Sequence, residues 1–413
     1  MRMLWITAWR NLWRNKRRTL ILILAITIGL WGVLISMAWV NAWLDDTVKN
    51  STSTTVGHVQ LQAPGYYDNP QVRLNLPDDE KLLKQLSSLP TTKGAGARVR
   101  GQVLLSNAEK AEMGELVGAD PTREGDLSVI PGHIVEGRWL KPGETGKIVV
   151  GQEFLKKFKT KIGRRVIIRG NNALGEISDA AFRIVGAYRT NLMQFDRRTA
   201  YVTLADAQKF FAVEGRVTEY VLTASSPQFS EQLKNEVTAL ALPPASEGKP
   251  IVVTTWLEQL PLVVKMMEMA GAFMWYFYAF FFVAMAFGIA NSFLMVVHER
   301  RREIGMMLAL GVRRRTVLGV LMIEAFLLAI VGSIVGNGIG VAVVAYLGKY
   351  GLDLSRWAEG MNQFGMSSVI YFFLRLEDVV TATLATAITC IAVTLYPAYK
   401  ASRLRPVETL RST

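Results

Sequence analysis

Four stretches without a single charged residue constrain this chain more than anything else in it. They are Thr19–Leu44, Met269–Val297, Ala325–Gly348 and Val379–Tyr399, of 26, 29, 24 and 21 residues. A helix needs about 20 apolar residues to cross the hydrocarbon core of a bilayer, so each is long enough to be a membrane span. The chain is half hydrophobic yet 20% charged, which fits spans joined to a sizeable water-facing part. That part is the interval between the first and second stretches.

The charges orient the spans. Residues 1–18 carry six Lys or Arg (Arg2, Arg10, Arg14, Lys16, Arg17, Arg18), residues 298–315 carry six more, and the end of the chain carries four (Lys400, Arg403, Arg405, Arg411). Only Glu299, Glu303 and Glu408 oppose these sixteen, and the surplus equals the formal net charge of the whole chain, +13. Positive residues are retained on the cytoplasmic side, so the basic balance reports topology, and nucleic acid is not needed to account for it. The predicted layout is a cytoplasmic interfacial elbow helix over 1–18, a first span over 19–44, an exported domain over 45–268 and a second span over 269–297. A cytoplasmic loop over 298–315, a third span within 316–348, a short outer loop over 349–378, a fourth span over 379–399 and a cytoplasmic tail over 400–413 complete it. The first stretch exceeds the apolar region of about 7 to 15 residues in a secretory signal, so it reads as an uncleaved anchor. Trp5, Trp9 and Trp13 recur every four residues before it, lining up the indoles on one helical face suited to the headgroup layer.

The exported segment mixes two periodicities. "HVQLQ", "KIVVG", "RRVIIRG", "FRIVGAY", "TAYVTL" and "TEYVLTA" read as strands, whereas "LADAQKFF" and "PQFSEQLKNEVTALA" have helical spacing. The prediction is an α+β domain. "GNNALG" (Gly170 to Gly175) is a hairpin tip by its Gly and Asn content, and residues 65–70 form another loop. Cys390, the one cysteine, falls in the fourth span, so no disulfide framework supports this domain.

Catalytic signatures are absent. The segment holds no H-E-x-x-H and no G-x-S-x-G, and His58 and His133 are isolated in sequence, which makes each a structural or surface histidine rather than a metal ligand. "GETGK" at Gly143 to Lys147 lacks the glycine spacing and the hydroxyl residue of a phosphate-binding loop, since Ile148 follows the lysine. Any ATP hydrolysis must come from another chain.

"HERRREIGMMLALGVRRR", His298 to Arg315, sets arginine triplets on either side of a short uncharged run. The run from Ile304 to Val312 is about 13 Å as a helix, too short to cross a bilayer, so it predicts a short helix held at the surface. Ile304, Met307 and Leu308 share one face at i, i+3 and i+4. Inside the third span Gly332, Gly336 and Gly340 form two overlapping GxxxG steps, a packing device. Glu324, near the cytoplasmic end of that span, reads as a buried ion-pair partner or as part of a proton path, and the pair is favoured because Arg314 or Arg315 is expected to reach it.

Together "NLWRNKRRTLI", "HERRREIGMMLALGVRRRTV", "IEAFLLAIVGSIVGNGIG" and "YPAYKASRLRPVETLR" resemble the FtsX-like permeases of the MacB/LolCDE group, the type VII ABC transporters. The four-span layout matches that family from end to end, and the resemblance is closest to the LolC/LolE-like lipoprotein-releasing subunits. It implies a non-catalytic permease in the bacterial inner membrane, paired with a second permease copy or subunit and with a dimer of cytoplasmic ATPases. The chain then has no cofactor of its own, ATP and Mg belonging to the ATPase, and an exported porter-like domain with a smaller Sabre-like insertion meets a periplasmic carrier or effector protein. Glu299, Arg300, Arg301, Arg302, Glu303, Ile304, Met307, Leu308, Arg313 and Arg314 correspond to the coupling helix and its flanks, which dock on the ATPase. Met37, Val40 and Leu44, with Leu262, Met266, Met269 and Phe273, are expected to line a cavity for an acyl chain beside membrane lipid. The implied function is extraction or export of an amphiphile, a lipoprotein foremost, from the outer leaflet. Mechanotransmission, in MacB-like efflux or in FtsX-like signalling to cell-wall hydrolases, is the alternative, and a membrane-anchored enzyme is disfavoured by the missing motifs.

Overall fold

The computed structural model describes residues 2–357, 367 and 369–403. Arg405, Glu408 and Arg411 of the basic tail lie outside the described residues, as do 358–366 and 368 of the short outer loop. Among the described residues, four helices are long and apolar enough to cross a membrane: Lys16–Ser51, Pro261–Glu299, Arg314–Tyr350 and Leu376–Ser402. Each runs past the uncharged stretch that announces it, because a helix continues through polar residues once it leaves the hydrocarbon. The second starts at Pro261 rather than near Met269, with proline at a first-turn position where its missing N–H costs nothing. The chain divides into two compact units, one of Met1–Leu44, Met267–Asp353 and Val369–Thr413 and one of Asp45–Met266 and Leu354–Ser368.

In the first unit an elbow helix, Arg2–Arg14, precedes the first spanning helix. Ala8 and Leu12 are buried beneath it while Trp5, Trp9 and Trp13 stay exposed, and the Thr19 hydroxyl donates to the Leu12 carbonyl across the break. The third spanning helix packs on the first through the three glycines. A Cβ at Gly332 would come 2.7 Å from Ile26, one at Gly336 3.1 Å from Leu30, and one at Gly340 2.7 Å from Leu34. Asn337 of the third helix and Thr383 of the fourth hydrogen-bond at 2.9 Å.

The second unit is built on twelve strands, β1 Val59–Gln62, β2 Leu76–Pro77, β3 Thr92–Ser106, β4 Ala111–Ala119, β5 Ile134–Gly137, β6 Lys147–Gly151, β7 Arg165–Asn171, β8 Ile177–Tyr188, β9 Thr199–Thr203, β10 Arg216–Val217, β11 Glu219–Ala224 and β12 Val252–Thr255. Ten of them form one sheet in the order β12-β1-β11-β3-β4-β9-β6-β8-β5, and β7 pairs both β3 and β8. The pairings β3-β4-β9-β6-β8-β7-β3 therefore close into a ring, which removes six strands from any edge. Leu105, Leu116, Val150, Phe154, Val166, Ile168 and Ile184 belong to its buried core. The helices Glu80–Ser87, Leu204–Phe211 and Ser230–Thr238 pack their apolar sides on the sheet, giving the α+β class.

The entry into this sheet is held by buried charge. After Ser51 the first spanning helix continues as a wider turn, Thr52–Val56, and then Gly57, at φ 66°, leads into β1. Arg98 and Arg100 of β3 both donate to the Thr55 carbonyl, at 3.1 and 2.9 Å. Arg98 is paired with Glu124 at 2.5 Å with both side chains 1% exposed, and Arg100 bridges Glu219 at 3.2 Å and Glu115 at 3.3 Å. His58, next in the chain, accepts from the Ala224 N–H at 2.8 Å. Burial, with the charge of Lys93 behind it, lowers its pKa to about 4, so it is a neutral structural histidine.

Gly332→Leu should force the first and third spanning helices apart and cost about 1–3 kcal/mol. Gly338→Leu, on the same helix where nothing lies within 4 Å of a new Cβ, should not. Apparent unfolding temperatures of the two detergent-solubilised variants check this, and equal values would dissolve the packing seam.

Candidate functional site

The basic loop is built from two helix ends and a short helix between them. The second spanning helix stops at Glu299, Arg300 occupies the junction, and a short helix runs Arg301–Ala309. It begins three residues earlier than the uncharged run and stops three residues short of it, because Leu310 caps it and Gly311 turns the chain at φ 85°. Arg313 then opens the third spanning helix.

The apolar face of the short helix points inward, which corrects the expected ridge. Ile304 is 1% exposed and packs with Val297, Val317, Leu321, Ala398 and Ala401, and Met307, Leu308 and Val312 lean on the same cluster. The periodicity of Ile304, Met307 and Leu308 signals a face that must be covered, and the third and fourth spanning helices already cover it. The outward surface consists instead of Arg302, Met306, Ala309 and Leu310, bordered by Arg313, Arg314 and Arg315. Met306 is 52% and Leu310 85% exposed. Neither is singled out by the sequence reading, although both fall on the opposite side of the helical wheel from Ile304.

Arg300 also turns inward. It donates to Glu324 at 3.0 Å and to Glu303 at 3.3 Å, and Glu303 accepts from Arg14 of the elbow helix at 2.6 Å. Glu324 is thus paired by Arg300 and not by Arg314 or Arg315, which are exposed at the start of the third helix. Partial burial works to raise the Glu303 carboxyl, but the hydrogen bond and charge of Arg14, with Arg300 beside them, more than offset it and hold its pKa below the ordinary value.

The seven residues expected around an acyl chain have different surroundings. Val40 is 7% exposed and part of the helix core, and Met37 packs against Leu30, Val33, Leu34 and Ala382. Leu44 and Met266 are half-buried, whereas Leu262, Met269 and Phe273 are exposed. Phe273 continues into an exposed aromatic face on the second spanning helix, with Trp275, Tyr276 and Phe280, which the sequence reading passed over.

In the α+β unit the two loops marked by composition meet. The β7–β8 turn is held by the Asn172 side chain, which accepts from the Leu174 and Glu176 N–H groups at 3.0 and 2.9 Å. Leu174 and Ile177 project at its tip, 73% and 70% exposed. A cavity of about 560 Å³ lies between this turn and residues 69–73, bordered by Arg73, Gln102, Met113 and Arg169.

Four candidate spans, an α+β domain between the first two and a basic loop that carries a short helix define a multi-pass membrane protein of the transporter permease class. Two family models match it. Residues 19–240 match the MacB-like periplasmic core domain and residues 275–406 the FtsX-like permease C-terminal region. The chain belongs to the FtsX-like permeases with a MacB-like periplasmic core domain, which are type VII ABC transporter permeases. It is similar to the lipoprotein-releasing system transmembrane protein LolC of Neisseria meningitidis, 22% identical over 406 residues, covering 95% of this chain and 94% of that one. It is also similar to the pyoverdine export ATP-binding/permease protein PvdT of Pseudomonas fluorescens, 23% identical over 436 residues, covering 98% of this chain and 58% of that one. Among solved structures, the periplasmic region of MacB from Actinobacillus actinomycetemcomitans aligns at a TM-score of 0.36 and 13% identity, covering 53% of this chain and 97% of that one.

Ile304→Ala should open a cavity beneath the short helix and destabilise the chain by about 2–5 kcal/mol, whereas Leu310→Ala should stay within about 0.5 kcal/mol of the parent. Unfolding of the solubilised variants separates the two, and a costly Leu310→Ala with a neutral Ile304→Ala would reverse the facing assigned to this helix.

Proposed function

We propose that this chain is the membrane subunit of a transporter in the bacterial inner membrane, with both termini in the cytoplasm, that moves an amphiphile out of the outer leaflet, a lipoprotein foremost. ATP and Mg are used by a dimer of partner ATPases, and two permease subunits complete the assembly. The observation that carries the reading is the short helix Arg301–Ala309, mounted on the third and fourth spanning helices by its apolar face and offering Met306 and Leu310 outward between arginines. An apolar knob ringed by cations suits a cleft with an acidic rim on a partner. On this reading Met306, Leu310, Arg302 and Arg313–Arg315 make the contact with the ATPase, while Ile304, Met307 and Leu308 hold the helix in position.

The reading of the cargo is supported by the relatives and by the second spanning helix. LolC is named for lipoprotein release, and the exposed Met269 and Phe273 with Trp275 and Tyr276 form a surface on which acyl chains can lie, each methylene kept from water contributing about 0.8 kcal/mol. The projecting Leu174 and Ile177 and the cavity beside them are where an acceptor or effector protein would dock, since loops on a rigid scaffold commonly bind partners. The second reading, mechanotransmission to an efflux partner, is favoured by the similarity to PvdT, which is named for pyoverdine export.

Leu310→Asp and Met306→Asp should abolish co-purification of the ATPase while leaving membrane insertion intact, because a charge enters the apolar centre of the contact. Pull-down from solubilised membranes reads this, and undiminished ATPase in both variants would remove the helix from the interface. A photo-crosslinking residue at Phe273 should capture acylated protein without ATP and release it when ATP is supplied. Capture of phospholipid alone in both states would favour the mechanotransmission reading.

A further inference from the structure

Arg300, at the junction before the short helix, has its charge turned into the membrane unit. Its partner Glu324 lies ten residues into the third spanning helix, about 15 Å along its axis, and the two side chains are 8% and 2% exposed. A carboxylate at that depth is expensive without a cation beside it, and separating a buried, hydrogen-bonded ion pair is costly. The rest of the junction is different in kind. Ile304 and its neighbours hold the short helix by apolar contact, which is not directional and lets a helix slide or roll. The Arg14–Glu303 tie is 57% and 41% exposed, so it is screened and weak. Arg300 thus gives the junction of the short helix a restraint that is both directional and buried.

We propose that Arg300 is a positioning residue, a pin that fixes the short helix to the third spanning helix through Glu324, so that displacement of the helix is delivered to that span. The proposal rests on the reading of Arg301–Ala309 as the ATPase contact, and it assigns the step after that contact to a named ion pair. Glu303 shares the Arg300 guanidinium and the Arg14 guanidinium, so the elbow helix is joined to the same point by a tie that can break while the pin holds.

The test uses the full chain in lipid nanodiscs, with Cys390→Ala removing the native thiol and spin labels at Ala309→Cys on the short helix and Ile334→Cys on the third spanning helix. Without any ATPase present, the parent should give one narrow distance distribution. Arg300→Gln and Glu324→Gln should each lose it in favour of a broad one. Arg300→Lys, which keeps the cation opposite Glu324, should restore it, and Arg14→Gln should leave it narrow. A narrow distribution in Arg300→Gln and Glu324→Gln, or one that broadens equally in Arg14→Gln, overturns the pin. A second measurement separates this from the docking reading. Unlabelled Arg300→Gln should co-purify with the ATPase at the parental level yet lose the difference in ATP turnover between the complex and the isolated ATPase. Failure of the parent itself to bind the ATPase would sink the docking reading and leave the distance measurement to judge the pin, whereas parental turnover in Arg300→Gln would overturn the pin alone.

Discussion

The carbonyl oxygen of Thr55 receives two buried guanidinium groups, and much of the α+β domain depends on that contact. The last carbonyls of a helix have no partner within it and carry the negative end of its dipole. Here Thr52 accepts from the Gly57 N–H, Ser53 from the Val129 N–H and Val56 from the Gln60 side-chain amide. Arg98 and Arg100 satisfy Thr55 from one strand, and their charges in turn require Glu124, Glu115 and Glu219. The strand that follows Gly57 is therefore launched from a fixed point, and β1 falls into register with β11 and β12 on either side.

The basic loop uses buried charge for the same purpose at lower cost in groups. One arginine, Arg300, meets one deep carboxylate and one shallow one. Arg301 beside it is half-buried, whereas Arg302 and Arg313–Arg315 are exposed. Residues of one type, within sixteen positions of each other, thus divide into an internal strut and an external surface around one short helix.

Spans are legible in this sequence because hydrocarbon thickness converts directly into a count of uncharged residues. The β-branched strands, β6 to β9 and β11, are legible by composition. The two longest-paired strands of the sheet, β3 and β4, are not, although they form nine register pairs. Gly94, Gly96, Gly101, Gly114 and Gly118 lie in them where a Cβ would come within 3 Å of another residue, and two more of their positions are the arginines of the clamp, Arg98 buried and Arg100 half-buried. Close packing and ion pairing there replace the alternation by which a strand is recognised. The facing of the short helix fails for another reason. An amphipathic pattern states that one side needs cover and does not say whether the cover belongs to the same chain. The pairing of Glu324 with Arg300 crosses a helix break, and the meeting of residues 69–73 with the β7–β8 turn crosses a hundred residues of chain, so neither leaves a local trace.

The strands by which the chain enters and leaves the α+β domain are immediate neighbours: Val59 of β1 lies opposite Thr255 of β12 in antiparallel register. Adjacent strands are about 4.8 Å apart, so nearly two hundred residues begin and end within a single strand spacing. A segment with that property is an interchangeable cassette. A domain of another size or surface can be exchanged for it at the same pair of strands, as domains with adjoining termini allow. A family built this way can diversify what it meets outside the membrane while the machinery inside it stays the same.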